Sequence, residues 1–82
     1  MPTDIKRIPL YIIDKQPSVR VPVQIWKKMK HNEIDTGESL NKLMLRLLSD
    51  HFATSDQVEI YNQLQAVNTN ELINQLLIRY FE

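Results

Sequence analysis

One stretch of this chain limits its possible folds more than any other: PSVRVPV, residues 17–23. Val19, Val21 and Val23 alternate with Ser18 and Arg20, and a period of two places the valines on one face of a β-strand. No other stretch alternates as cleanly. A lone strand leaves its backbone N–H and C=O groups without partners, a state that folded proteins avoid. The strand therefore needs a mate, from its own chain or from a second molecule, and its valine face needs a cover.

The chain has few means of stabilising itself other than packing. Its 82 residues make one domain with a modest core. It has no cysteine, which excludes disulfides and thiolate metal sites. His31 and His51 lie far apart with no ligand cluster around them, so no metal or other cofactor is expected. Oligomerisation is the remaining support for so small a fold. No apolar run approaches the roughly 20 residues that span a membrane, and the first residues lack a signal-peptide pattern, so a cytoplasmic protein without membrane contact is expected. No nucleophile–base pair, metal cluster or phosphate loop is visible, and one glycine is too few for a glycine-rich motif. An enzyme is the weakest reading.

Helical periodicity fills the rest. Residues 1–17 read as an N-terminal arm, with RIPLYII either a packing arm or a second short strand weakened by Pro9. Beyond Pro22 a helix over 23–35 carries Ile25, Trp26 and Met29 on one side and Lys27, Lys28 and Lys30 on the other. Gly37 suits a left-handed helix end. The strongest amphipathic pattern covers 39–52, with Leu40, Leu43, Met44, Leu47 and Leu48 in one stripe. Ser55 or Asp56 caps a third helix over 56–67, and Asn68 with Glu71 opens a fourth over 69–81.

Two further patterns stand out. VQIWKKMK at 23–30 parallels VEIYNQLQ at 58–65, and NKLMLRLLSDHF at 41–52 parallels NELINQLLIRYF at 70–81. The second helix pair is either a degenerate copy of the first or a convergent amphipathic design. Charge is also uneven. Residues 1–30 hold seven basic side chains against two acidic ones, and residues 53–82 hold one against four. A basic front part suits a polyanion, although small fluctuations of this kind also arise without function.

The order of elements carries a resemblance. A short strand with outward Arg20, then Pro22, a basic helix, Gly37, a leucine-rich helix opened by Ser39 and Asn41 and closed by Phe52, resembles the ribbon-helix-helix DNA-binding family, the Arc repressor type most closely. The resemblance spans Arg20 to Phe52. It implies a mainly α fold with one short β-strand and an intertwined homodimer, in which two copies of the strand pair into an intersubunit two-stranded antiparallel ribbon. Residues 18–53 form the DNA-binding unit, and 54–82 add two C-terminal helices.

On this resemblance the ribbon enters the major groove of an operator, with Gln16, Ser18 and Arg20 facing bases. Ser39 and Asn41 anchor phosphates at a helix start, with Lys27 and Lys28 adding attraction. Glu38 departs from the pattern because an acid there repels phosphate. Pro17 departs by removing a backbone donor beside Gln16. The implied function is a sequence-specific repressor in a prokaryotic, plasmid or phage setting, as a dimer or as a tetramer on DNA. Residues 54–82 enlarge the core, join dimers or bind a protein partner; an antitoxin with toxin-binding C-terminal helices is the second reading. The rival architecture is an intramolecular hairpin between PLYII and SVRVPV, giving a small protein-interaction module.

Overall fold

The valine strand finds its mate in its own chain. In the computed structural model, which describes residues 4–82, the order is β1 (Ile5–Pro9), β2 (Ser18–Pro22), α1 (Val23–Thr36), α2 (Leu40–Phe52), α3 (Gln57–Leu64) and α4 (Thr69–Tyr80). Residues 1–3 of the expected N-terminal arm lie outside the described residues. Strands β1 and β2 pair antiparallel, with Ile5 opposite Pro22, Arg7 opposite Arg20 and Pro9 opposite Ser18. The fold is mainly helical, with two strands where the sequence predicts one. Residues 5–17 belong to the hairpin rather than to a separate arm, and the chain reverses at Ile13–Asp14.

The register explains why β1 is hard to read. Backbone bonds join Val23 N–H to Asp4 O, Leu10 N–H to Pro17 O, and Ile12 with Lys15 in both directions. Bonded pairs thus fall at the even residues of the first strand, and the odd residues turn their N–H groups away from β2. Pro9 stands at an odd position, so its missing N–H costs the ladder nothing. The buried row is Ile8, Leu10 and Ile12, but Pro9, Tyr11 and Ile13 between them are not polar, and this blurs the alternation.

The ribbon's inner face explains why a two-stranded sheet holds at all. An isolated hairpin is marginal in water. Here Ile8, Leu10, Ile12, Val19 and Val21 are buried against Met29 of α1, Leu43, Met44 and Leu48 of α2, Ile60 and Leu64 of α3, and Ile73 and Leu77 of α4. Each aliphatic side chain so buried contributes about 1.5–3 kcal/mol. At one end of the inner row the apolar pattern gives way to Lys6. Its ammonium lies 4.8 Å from the Trp26 ring centroid and that of Lys30 lies 5.9 Å away, so Trp26 forms a half-buried core edge under two cations.

Local chemistry sets the helix ends. Gly37 adopts φ 75° and donates its N–H to Glu33 O at 2.8 Å, closing α1. Ser39, Asp56 and Asn68 each accept a backbone N–H at the start of α2, α3 and α4. The third helix ends at Leu64, three residues short of the sequence expectation, where the chain turns toward Asn68. His51, on the stripe side of α2, is exposed and stands edge-on to Phe52.

The sequence echo has a structural counterpart. Met29 and Leu64 occupy matching places in the first parallel, and both are buried. In the second parallel Met44 matches Ile73 and Leu48 matches Leu77, and again all are buried. The last thirty residues are therefore built into the same core as the ribbon.

The hairpin turn is tight. Ile13 and Asp14 join the Ile12–Lys15 bridge, and Ile13 takes φ 57° while Asp14 does not go positive, the pattern of a II′ turn that favours glycine at its first central place. A β-branched residue there is strained. The Ile13→Gly variant should be more stable than the parent by about 1 kcal/mol in chemical denaturation. An equal or lower midpoint would show that the half-exposed Ile13 side chain contributes more than its backbone costs.

Candidate nucleic-acid interface

The outer face of the ribbon follows directly from the register. With Val19 and Val21 turned to the core, Ser18 and Arg20 of β2 point outward and are exposed. On β1, Arg7 and Pro9 are exposed, and Tyr11 continues their row beyond the strand, half-exposed. Gln16 is exposed and lies between Lys15 and Pro17, which are both bonded across the hairpin, so it stands opposite Tyr11. Three cross-strand pairs result: Arg7 with Arg20, Pro9 with Ser18, and Tyr11 with Gln16.

The arginine pair is the electrostatic feature of this face. It occupies a position without direct backbone bonds, where opposed Cα atoms are only about 4.5 Å apart. Like charges so placed are destabilising. Among the described residues no carboxylate forms an ion pair with either arginine; the two ion pairs are Lys30–Glu33 and Arg46–Glu38. Arg7 and Arg20 also line a groove of about 510 Å³, together with Ser18, Asn68, Asn70 and Glu71. The groove runs from the ribbon to the first turn of α4.

Side-chain amides bond the outer edge of each strand at particular residues. Arg20 N–H donates to Asn70 Oδ1 at 2.5 Å, and Asn74 Nδ2 donates to Arg20 O at 2.8 Å. These bonds fix the backbone of Arg20 on the side that faces away from β1. On the opposite edge Tyr11 N–H donates to Asn41 Oδ1 at 2.7 Å, and Ile13 N–H donates to Gln57 Oε1 at 3.0 Å. Asn41 and Asn70 occupy the same place in the repeated helix sequence and make the same contact. Asn41 of α2 thus clamps β1 and Asn70 of α4 clamps β2, while Gln57 of α3 adds a contact at the turn on the β1 side.

The other predicted site residues fall elsewhere or carry other duties. Ser39 Oγ accepts from Lys42 N–H as a helix cap, and Asn41 holds the Tyr11 backbone, so both side chains have structural partners at the start of α2. Lys27 and Lys28 are exposed on α1. Glu38 is not a free acid. Its carboxylate accepts two bonds from the Arg46 guanidinium at 2.8 and 2.9 Å, and Arg46 also donates to Tyr80 Oη. The hydrogen bond from Arg46 is the main cause that holds Glu38 below its ordinary carboxylate range, against a smaller opposing effect of burial. The same bond raises Arg46.

The sequence places Gln16, Ser18 and Arg20 on this face, whereas Arg7 falls within what reads as an N-terminal arm. Tyr11, Asn70 and Asn74 went unassigned. The signal for Asn70 was present, since the echo aligns it with Asn41; what it bonds depends on the tertiary fold. Among the described residues no group of three histidine, cysteine or carboxylate side chains is placed to hold a metal, and no helix is long and apolar enough to cross a membrane. The chain matches no protein-family profile, no curated protein and no solved structure.

Two outcomes follow from these contacts. Replacing Asn70 or Asn41 by alanine should cost about 1 kcal/mol each and speed amide hydrogen exchange at Arg20 or Tyr11 respectively. Unchanged protection at those amides would show that the clamps do not hold the edges. Glu38 gives a pH dependence. Its folded value is lowered, so its pairing stabilises the fold fully above the ordinary glutamate range near ~4.3 and is lost as pH falls through the lower folded value. The stability difference between the parent and Glu38→Gln should therefore be under about 1 kcal/mol at neutral pH and shrink toward zero in acid. A difference independent of pH would rule out the ion pair as its source.

Proposed function

We propose that this chain is a sequence-specific DNA-binding regulator, most simply a repressor, that reads the major groove with the outer face of its hairpin. The observation that carries the reading is the Arg7–Arg20 pair: two arginines directly opposed on an exposed two-stranded ribbon, without carboxylate partners among the described residues. A fold gains nothing from concentrating like charge in this way, whereas a polyanion repays the cost. A two-stranded ribbon fits the major groove, where arginine bonds guanine O6 and N7 in a bidentate fork.

On this reading the chain is a one-molecule counterpart of the ribbon-helix-helix dimer. The family resemblance implies a homodimer in which a second molecule supplies the mate of the valine strand. Strand β1 supplies that mate, α1 and α2 stand for one subunit's helices, and α3 and α4 stand for the other's. The matching burial in the two helix pairs and the matching Asn41 and Asn70 clamps support this arrangement. Gln16, Ser18 and Arg20 keep their proposed base-reading roles, and Arg7 and Tyr11 join them. Lys27 and Lys28 remain candidates for phosphate attraction. Ser39 and Asn41 are less available for phosphate, because both already serve the fold.

The hairpin also satisfies the rival reading of a small protein-interaction module. The antitoxin reading gains less, since α3 and α4 supply four residues to the common core rather than a loose tail. DNA titration separates the possibilities. The chain should bind duplex upstream of its own gene with affinity that falls steeply with salt. Arg20→Ala and Arg7→Ala should each cost about 1–3 kcal/mol on that site and less on random duplex. Equal losses on both duplexes would reassign the arginines to phosphate contact, and absence of binding at low salt would exclude the reading.

A further inference from the structure

A true dimer of a ribbon protein presents the same strand twice, so its two reading halves are identical. This hairpin presents two different strands. The internal correspondence defines how they match. Asn41 holds the backbone of Tyr11 as Asn70 holds that of Arg20. Inward Leu10 and Ile12 then correspond to inward Val19 and Val21, and all four are buried. Carried along the outward row, the same relation sets Arg7 against Gln16, Pro9 against Ser18, and Tyr11 against Arg20. The centre of this relation is the Pro9–Ser18 pair, which the register places face to face.

At none of these three places does the chemistry agree. Arginine favours guanine and glutamine favours adenine, each through two bonds. Serine offers a hydroxyl that donates and accepts, whereas proline offers only an apolar ring. Tyrosine offers one hydroxyl and an aromatic face where its counterpart is a cationic fork. The flanks differ too. Lys27 and Lys28 of α1 correspond to Asn62 and Gln63 of α3 in the repeated sequence, so one flank has two cations that the other lacks.

A second copy has little backbone on which to extend the ribbon. Arg20 N–H, Tyr11 N–H and Ile13 N–H are already bonded to side-chain amides. Pro9 and Pro22 have no N–H to give. Of the donors turned outward along the two edges, those of Ile5, Arg7, Gln16 and Ser18 remain, two on each side of the hairpin. A strand added to either side would meet a prolyl interruption or an amide clamp within a few residues.

Building on the DNA reading above, we propose that one copy of this chain recognises a duplex site that has no two-fold symmetry, with Arg7 and Arg20 at one end of the ribbon reading one half, Tyr11 and Gln16 at the other end reading the other, and Pro9 and Ser18 at the centre. The chain then needs no partner to complete its reading surface, and the orientation of the bound protein along the DNA is defined by sequence.

The test is selection of bound duplexes from a random pool with the full chain, followed by titration of the enriched sequence with size and mass measured by light scattering. One chain per duplex and a motif that differs from its own reverse complement are expected. Replacing either half of that motif by the palindromic counterpart of the other should weaken binding about fivefold or more, the lower end of one base pair's discrimination. Gln16→Arg, at an exposed position, should change base preference in one half only. A palindromic motif bound by two chains would overturn the proposal and leave DNA reading intact. Tight binding with no enriched motif would overturn it as well, leaving a phosphate-directed protein. Failure to bind any duplex would remove the DNA reading itself. The closed edges have a separate readout: the chain without DNA should scatter as a monomer at micromolar concentration, and a dimer that is lost when the β1 edge is blocked by Arg7→Pro would contradict them.

Discussion

Everything in this fold depends on the backbone of β2 being bonded on both sides. Strand β1 takes one edge through the antiparallel ladder, and the amides of Asn70 and Asn74 take the other at Arg20. This arrangement resolves the problem posed by a short valine strand without a second molecule. It also holds the backbone of an arginine from two directions, so the side chain projects from a rigid base. The valine face then needs cover, and all four helices contribute to it. The C-terminal helices are consequently part of the ribbon's support.

The same constraint links the internal echo to the ribbon edges. A repeated amphipathic helix pair alone says only that two stretches bury similar faces. The Asn41 and Asn70 contacts add direction, because each clamps a strand edge at a matching point of its helix. One side-chain type thereby performs edge protection that proteins otherwise achieve with charge, bulges or added cover. A ribbon closed in this way resists unwanted strand addition while leaving its outer face free. The Arg7–Arg20 pair on that face is locally unfavourable, and such a local cost is what a binding surface is expected to carry.

Most helix boundaries, the Gly37 ending, the cap at Asn68, and the outward placement of Ser18 and Arg20 are legible from residues 17–82 because they follow from local geometry; the early end of α3 at Leu64 and the choice of Asp56 over Ser55 are not. Periodicity assigns a face, a short polar side chain at a helix start assigns a cap, and a glycine just past a helical stretch assigns a left-handed end. Strand β1 was only half legible. Pro9 reads as a breaker until the register shows its N–H position facing away from the partner strand. Glu38 read as a charge that repels phosphate, and only its distance to Arg46, eight residues on, shows that charge to be engaged.

The amino-acid order by itself determined that a β-strand with a valine face and an outward Arg20 precedes four amphipathic helices, and that the helices come in two similar pairs. Tertiary structure decided which strand completes the ribbon, that Arg7 stands across from Arg20, and that Asn41, Asn70 and Asn74 bind backbone. The division has a physical cause. Side-chain period and capping act over a few residues, so a linear reading captures them. Strand pairing and amide clamps join groups 9 to 54 positions apart, and whether those groups meet is set by how the buried faces pack.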